Sequence, residues 1–366
     1  MTLANFAPQL RVLAVVAATL LAAVVTVQTS RRVVARAQGR RWVSGLSMRV
    51  SRCLKRRSLG PDRASICFVT FLTLSTALAV WVVIPLGPMG LLLLDAELGA
   101  FFLVGAAALL PLLTVWTAAR RGDTGLEVSP LGTLLPALLR GLGGAVLQGV
   151  AILTPGLLAG SLSLQALVHA QTLPYLLAAP LPALLYLLAG VALLGRRPFL
   201  GDIPLSSPGA LAPGSVEYSC GPDVAVLFHA YTFAVAFALL FLGGWRGPGV
   251  SVAPWLGGLW LFLKAFVVFN GLALALTATP RLRSDQVLSL LWTVGAPLGG
   301  LTLLLTALVD ATLKVLAIET VWAYTTILLL TNTGLGLIAL KAIGLTSQAH
   351  LRTRSFQAVS QEGRGG

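Results

Sequence analysis

Residues 174–221 read PYLLAAPLPALLYLLAGVALL and then GRRPFLGDIPLSSPGALAPGSVEYSCG, and the change of composition at Gly195 decides the fold. The first part is an apolar run of the length that crosses a ~30 Å hydrocarbon core as a helix. The second part has no run that could cross. It opens with Arg196 and Arg197, carries Asp202 and Glu217, and spends Pro198, Pro204, Pro208 and Pro213 on keeping its backbone out of regular helix. A long polar loop between hydrophobic spans is where a membrane protein meets a partner or admits a ligand.

Working outward, apolar runs of similar length recur at 11–29, 66–85, 98–119, 134–158, 224–244, 255–277, 287–309 and 321–343. With 174–194 they make about nine transmembrane helices. Barrel strands are excluded because these runs are apolar on all sides instead of alternating. With 57% hydrophobic and only 10% charged residues, the chain falls far below the roughly 25% charge of a soluble domain. The expectation is an all-α polytopic membrane protein, with residues 1–366 forming one integral membrane domain. Arg11 ahead of the first run would suit a secretion signal, but Val27-Gln28-Thr29-Ser30 offers no small-x-small cleavage site, so the run reads as an anchor.

Basic residues set the orientation. Segment 30–63 carries eleven of them against the single acid Asp62, which places it in the cytoplasm with the N-terminus outside. Alternate segments agree: Arg120 and Arg121, Arg196 and Arg197 in loop 195–222, Arg281 and Arg283, and the tail 344–366 with Arg352, Arg354 and Arg364. The net charge of +14 then reads as topology and contact with anionic lipid headgroups. Nucleic-acid binding has no soluble basic domain to host it. Within 30–63, Val43, Leu46, Val50 and Leu54 recur at helical spacing, which suits a short amphipathic helix on the membrane surface, though on this pattern alone a simple basic anchor is the favoured reading. Leu162 to Gln171 is a second such candidate on the outer side.

Few residues here carry chemistry. Cys53, Cys67 and Cys220 are far apart and form no C-x-x-C, so no metal or iron–sulfur site is written. His169, His229 and His350 are isolated in sequence, and no phosphate-cradling loop or nucleophile elbow is present. Two cations lie inside spans, Arg140 and Lys264. A charge at depth costs at least ~2.5 kcal/mol, so such residues face a polar cavity or a partner unless they snorkel to the headgroups.

Further pieces carry a resemblance. Val216-Glu217-Tyr218-Ser219 is followed by Phe241-Leu242-Gly243-Gly244-Trp245, then Gly258-Leu259-Trp260-Leu261-Phe262-Leu263-Lys264, then Pro280-Arg281-Leu282-Arg283-Ser284-Asp285-Gln286. In order and spacing this resembles the H subunit of the proton-translocating NADH-quinone oxidoreductases, respiratory complex I, which is the bacterial counterpart of the mitochondrial subunit 1. The likeness covers roughly residues 10 to 309. It implies a subunit that anchors the peripheral arm and forms with it the chamber that quinone enters from the bilayer. It also implies that quinone is the substrate, that NADH, FMN and iron–sulfur clusters belong to partner subunits, and that this chain holds no cofactor. Under that reading Arg140, Asp202, Glu217, Tyr218, Lys264 and Asp285 are candidates for the quinone chamber and proton path. Arg196, Arg197, Arg281 and Arg283 are candidates for docking the peripheral arm. The membrane would be the bacterial inner or plasma membrane.

The departures from the family pattern concern carboxylates. Leu194-Gly195 stands where the family writes a glutamate before its N-R-x-P-F motif, and Leu205 to Gly209 replaces a glutamate-rich run. The family's glutamates in the fourth and sixth spans fall near Gly149 and Ala230. Asp202, Glu217 and Asp285 remain. Two rivals stay open: the membrane anchor of a related membrane-bound hydrogenase, and a structural paralogue that has lost proton coupling.

Overall fold

The computed structural model describes residues 7–39, 71–72, 74–76, 78–85, 97–106, 108–109, 130–193, 220–278, 284–317 and 320–362. Among these residues there is no strand. The named helices are α1 (Ala7–Ala37), α2 (Pro130–Ala159), α3 (Leu164–Ala170), α4 (Tyr175–Ala178), α5 (Pro180–Leu193), α6 (Cys220–Phe241), α7 (Leu256–Ala278), α8 (Ser284–Ser289), α9 (Ala296–Val315) and α10 (Val321–Glu362). A π-helical turn, Leu290–Gly295, joins α8 to α9. The Val43–Leu54 amphipathic segment and most of loop 195–222 lie outside the described residues.

Four described helices are long and apolar enough to cross a bilayer: Leu138–Ala159, Leu256–Leu276, Asp285–Val315 and Val321–Ala342. Pro180–Leu193 and Phe228–Phe241 are shorter apolar helices. Of the other expected runs, 11–29 falls within α1, and 66–85 and 98–119 are described only in part. In α1 the hydroxyls of Thr29 and Ser30 bond back to the carbonyls of Val25 and Val27, both at 2.9 Å, which keeps these groups satisfied without water.

The expected continuous span 174–194 is broken into α4 and α5. Proline explains the break: Pro180 pushes Ala179 out of helical geometry, to ψ 65°, and Pro180 and Pro182 then sit in the first turn of α5, where a missing N–H is tolerated. The break leaves the Ala178 carbonyl without its usual donor, because Pro182 has no N–H. Asn332 on α10 supplies one, its Nδ2 donating to that carbonyl at 3.3 Å. The outer segment 162–171 also differs from expectation. Its helix α3 buries Leu164, Leu167 and Val168 against the protein core, so its apolar face is taken up by the bundle.

The core is built around α6, whose residues from Ala234 to Phe241 are all buried. Tyr186 of α5 stacks on Phe233 at 4.5 Å and leans on Phe237 and Phe241, while Gly190, one turn later, meets Phe233 at the earlier end of that row, so α5 and α6 run antiparallel. On another side Trp81 stacks between Phe228, Tyr231 and Phe262 at 6.2–6.4 Å. Leu147 of α2 meets Gly295 and Gly299, while Thr306 and Asp310 of α9 face Asn332 and Tyr324 of α10. These registers place the start of α2, the end of α5, the start of α6, the end of α7 and the start of α8 at one end of the bundle. α10 leaves Leu330, Leu337, Ile338 and Leu340 exposed, a face suited to acyl chains.

Gly190 sets how closely α5 approaches α6, since a Cβ there would lie 1.9 Å from the Phe233 ring. Gly190→Ala is expected to destabilise the bundle by about 1–3 kcal/mol through overpacking. Gly105→Ala, whose Cβ meets nothing within 4 Å, should be neutral. Melting of the two variants in detergent checks the contrast, and equal melting temperatures would remove the role given to Gly190.

Candidate functional site

Polar groups gather in three places inside the bundle. The first is the interior between α1, α2, α5, α6 and the 71–85 segment. His229 Nε2 lies 3.0 Å from Thr76 Oγ1, and Trp81 Nε1 donates to Thr232 Oγ1 at 3.0 Å. Gln148 is fully enclosed and approaches the Tyr186 hydroxyl, yet neither Gln148 Oε1 nor Tyr186 OH completes a hydrogen bond among the described residues. Tyr231 OH, on the side of α6 that faces Trp81, and Asn270 Oδ1 on α7 likewise find no partner among the described residues. Buried polar atoms in native proteins nearly always find a partner, so these groups are equipped to bond water or a polar ligand group.

The second gathering is at the end of the bundle where α6 stops and α7 begins. The sequence of α6 runs out at Gly243 and Gly244, both at positive φ (75° and 52°), which glycine adopts without strain. The carbonyls left at this helix end are met by side chains. Lys264 Nζ donates to Leu242, Gly244 and Arg246 oxygens at 2.8, 2.9 and 2.7 Å. The amide Nε2 of Gln171 donates to the Leu239 and Leu240 carbonyls at 2.9 and 3.1 Å. Arg246 in turn donates to the carbonyls of Gln171 and, at 2.9 Å, His169. The Lys264 side chain leans toward the start of its own helix, as helical side chains do, and so reaches this end from well inside α7.

The third is a polar stripe on α9. Thr302, Thr306 and Asp310 recur at four-residue spacing and are all buried. Asn332 Nδ2 bonds Thr306 Oγ1 at 3.4 Å, Tyr324 OH donates to Asp310 Oδ1 at 2.5 Å, and Lys314 Nζ meets Asp310 Oδ2 at 2.7 Å. Asp310 reads from sequence as following the eighth span. The helix instead continues to Val315, so Asp310 lies inside it and is only 5% exposed.

The sequence candidates are distributed unevenly over these places. Arg140 is half-buried in the third residue of the span Leu138–Ala159, at the end of the bundle where Trp292 of the π-turn donates to the Leu139 carbonyl at 3.2 Å. Asp285 is exposed in the first turn of α8, at the same end, where a carboxylate complements the helix dipole. Lys264 is at the other end, in the carbonyl clamp. Asp202, Glu217, Tyr218, Arg196, Arg197, Arg281 and Arg283 lie outside the described residues. Sequence reasoning missed His229, Gln148 and Tyr186. The signal that could have found them was position: Gln148 neighbours Gly149, and His229 and Tyr231 flank Ala230, the two places where the resembled family has glutamates. No group of three or more His, Cys, Asp or Glu able to hold a metal occurs among the described residues.

An all-helical bundle with membrane-length spans and a polar interior defines a polytopic integral membrane protein. The chain belongs to the NADH dehydrogenase family, whose model matches residues 10–307, and its relatives are H subunits of NADH-quinone oxidoreductase. It is 33% identical over 260 residues to NADH-quinone oxidoreductase H subunit 1 of Rhodopseudomonas palustris strain HaA2, covering 68% of this chain and 76% of the relative. It is 34% identical over 257 residues to H subunit 2 of Cereibacter sphaeroides, with the same two coverages. A third relative, the H subunit of Geobacillus kaustophilus, is 37% identical over 161 residues, 42% of this chain and 47% of the relative. The Asp310 cluster and α10 fall beyond the residues that the family model matches.

Within that cluster the two partners of Asp310 differ in burial. Lys314 is 61% exposed, so its ion pair is worth at most about 1 kcal/mol. The Tyr324 hydrogen bond to a buried carboxylate is worth about 1.5–3 kcal/mol. Tyr324→Phe is therefore expected to lower thermal stability in detergent more than Lys314→Met does. The reverse order would show that the exposed pair carries the cluster.

Proposed function

We propose that this chain is the membrane subunit of an NADH-quinone oxidoreductase, anchoring the peripheral arm and forming with it the chamber that quinone enters. The observation that carries the reading is the family match over 10–307, which spans the core helices α2, α5, α6 and α7 and their common end. At that end Arg140 and Asp285 sit beside the attachment points of the two connections 194–219 and 279–283. The chamber is lined by Arg140, Asp202, Glu217, Tyr218 and Asp285. Redox groups reside in partner subunits, quinone is the substrate, and the end carrying the basic loops faces the bacterial cytoplasm.

Docking of the peripheral arm follows from charge. Arg196, Arg197, Arg281 and Arg283 lie on two connections that leave the same end, and guanidinium groups pair well with carboxylates on a partner. The double variant Arg281→Glu, Arg283→Glu is expected to strip the peripheral subunits during purification, with NADH-driven quinone reduction lost in parallel. An intact complex on a native gel, with full activity, would overturn this docking surface.

One observation favours a second reading of the coupling. The buried polar groups described on α2, α5 and α6 are an amide, two phenols, an imidazole and threonine hydroxyls, and the positions near Gly149 and Ala230 carry no carboxylate. Neutral groups of this kind bond water but hold protons far less readily than coupled carboxylates in low dielectric. The complex is expected to reduce quinone with little proton translocation through this subunit. Sealed vesicles in which quinone reduction and internal pH are followed together check this, and a full stoichiometry lost on His229→Gln would show that the imidazole relays protons after all.

A further inference from the structure

We propose that the clamp formed by Lys264 and Arg246 is an electrostatic seal, which stops protons and small cations from crossing the bundle between the polar interior and the outer surface. The seal presupposes the reading that the basic loops face the cytoplasm, and it is a barrier function that the family match does not assign. A membrane protein that keeps water-bonding groups such as Gln148, Tyr186 and Tyr231 in its interior must close that interior on one side, or it dissipates the gradient across the bilayer.

The closure has two layers. From His229 to Leu242 the helix α6 rises about 20 Å at ~1.5 Å per residue. Over that length Phe237 and Phe241 are buried against the Tyr186 ring, and Leu239 and Leu240 are buried in the same core, an apolar layer. Beyond it stand the two cations. Lys264 spends its ammonium hydrogens on three carbonyls, and Arg246 bonds two more. Carbonyl dipoles fix a cation in place without cancelling its unit charge. Asp310, at the same end, is already engaged with Lys314 and Tyr324. A fixed positive charge beside a constriction raises the barrier to proton and cation passage, as charged and dipolar constrictions do in selective pores. His169, in edge contact with Trp245 at 5.4 Å, and Trp260, bonded to the Pro248 carbonyl at 3.1 Å, hold the loop over the clamp.

Passive proton flux tests this directly. The full-length chain, in its complex, is reconstituted in sealed phosphatidylcholine vesicles with a pH-sensitive dye inside, and a potassium diffusion potential is imposed with valinomycin, with neither NADH nor quinone present. Lys264→Met and Arg246→Glu are each expected to raise proton flux at least fivefold over the parent protein at equal protein content, while Lys264→Arg stays within twofold. Arg246→Glu keeps the backbone carbonyl that Lys264 binds, so it reports on charge even where Lys264→Met fails to insert. Vesicles as tight as the parent with correctly inserted Arg246→Glu would overturn the seal, and so would release of a trapped neutral dye in step with the protons, which marks a ruptured bilayer. Because no quinone turnover is involved, failure here is distinguishable from failure of the proposed redox role, which is read from subunit composition and quinone reduction.

Discussion

The carbonyl groups at the end of α6 impose the constraint on which this bundle depends. A helix that ends within the bundle leaves its last carbonyls without intrahelical donors, and where these are buried a side chain must meet them. Here Lys264 from α7, Gln171 from the turn after α3, and the left-handed pair Gly243 and Gly244 complete the end of α6. The same side chains tie three separate segments into one body. Removing an acceptor's partner in such a place costs more than the bond itself contributes, because the orphaned carbonyl stays buried.

The same accounting recurs where proline interrupts the chain. Pro180 ends α4, Pro182 cannot bond the Ala178 carbonyl, and Asn332 reaches across from α10 to do so. Trp292 of the π-turn donates to the Leu139 carbonyl and so ties the turn to α2. Each irregular piece of backbone thus determines which helix packs beside it. The regular α6, needing no such help along its length, is instead packed by aromatic stacking against Tyr186 and Trp81.

Polarity inside the bundle is divided between satisfied and unsatisfied groups. The α9 stripe is a network whose members bond one another or the backbone, and in the Lys264 clamp Gln171 bonds through its amide nitrogen while its Oε1 is left over. Gln148, Tyr186, Tyr231 and Asn270 also have acceptors or hydroxyls left over among the described residues. Closed networks hold a fold in one arrangement. Groups left over have capacity for water or a ligand, and Gln148 and Tyr231 neighbour the places where the resembled family has carboxylates.

The sequence by itself determined that the chain is helical, that it is a membrane protein and which family it resembles. Those properties depend on composition and on motifs within short stretches of chain, and they are written locally. It also marked Arg140, Lys264 and Asp285 by the rarity of charge in apolar runs. Only the tertiary structure decided what these residues do, because the partners are distant in sequence: Lys264 finds carbonyls 18 to 22 residues away, and Asn332 finds Ala178 at a separation of 154. The break at Pro180 was visible as a proline, but a single proline in an apolar run kinks as readily as it breaks, and the neighbour that satisfies the freed carbonyl settled the outcome. His229 was unreadable as a site residue for the same reason, since Thr76 lies 153 residues before it and a lone histidine carries no signal until its partner is beside it.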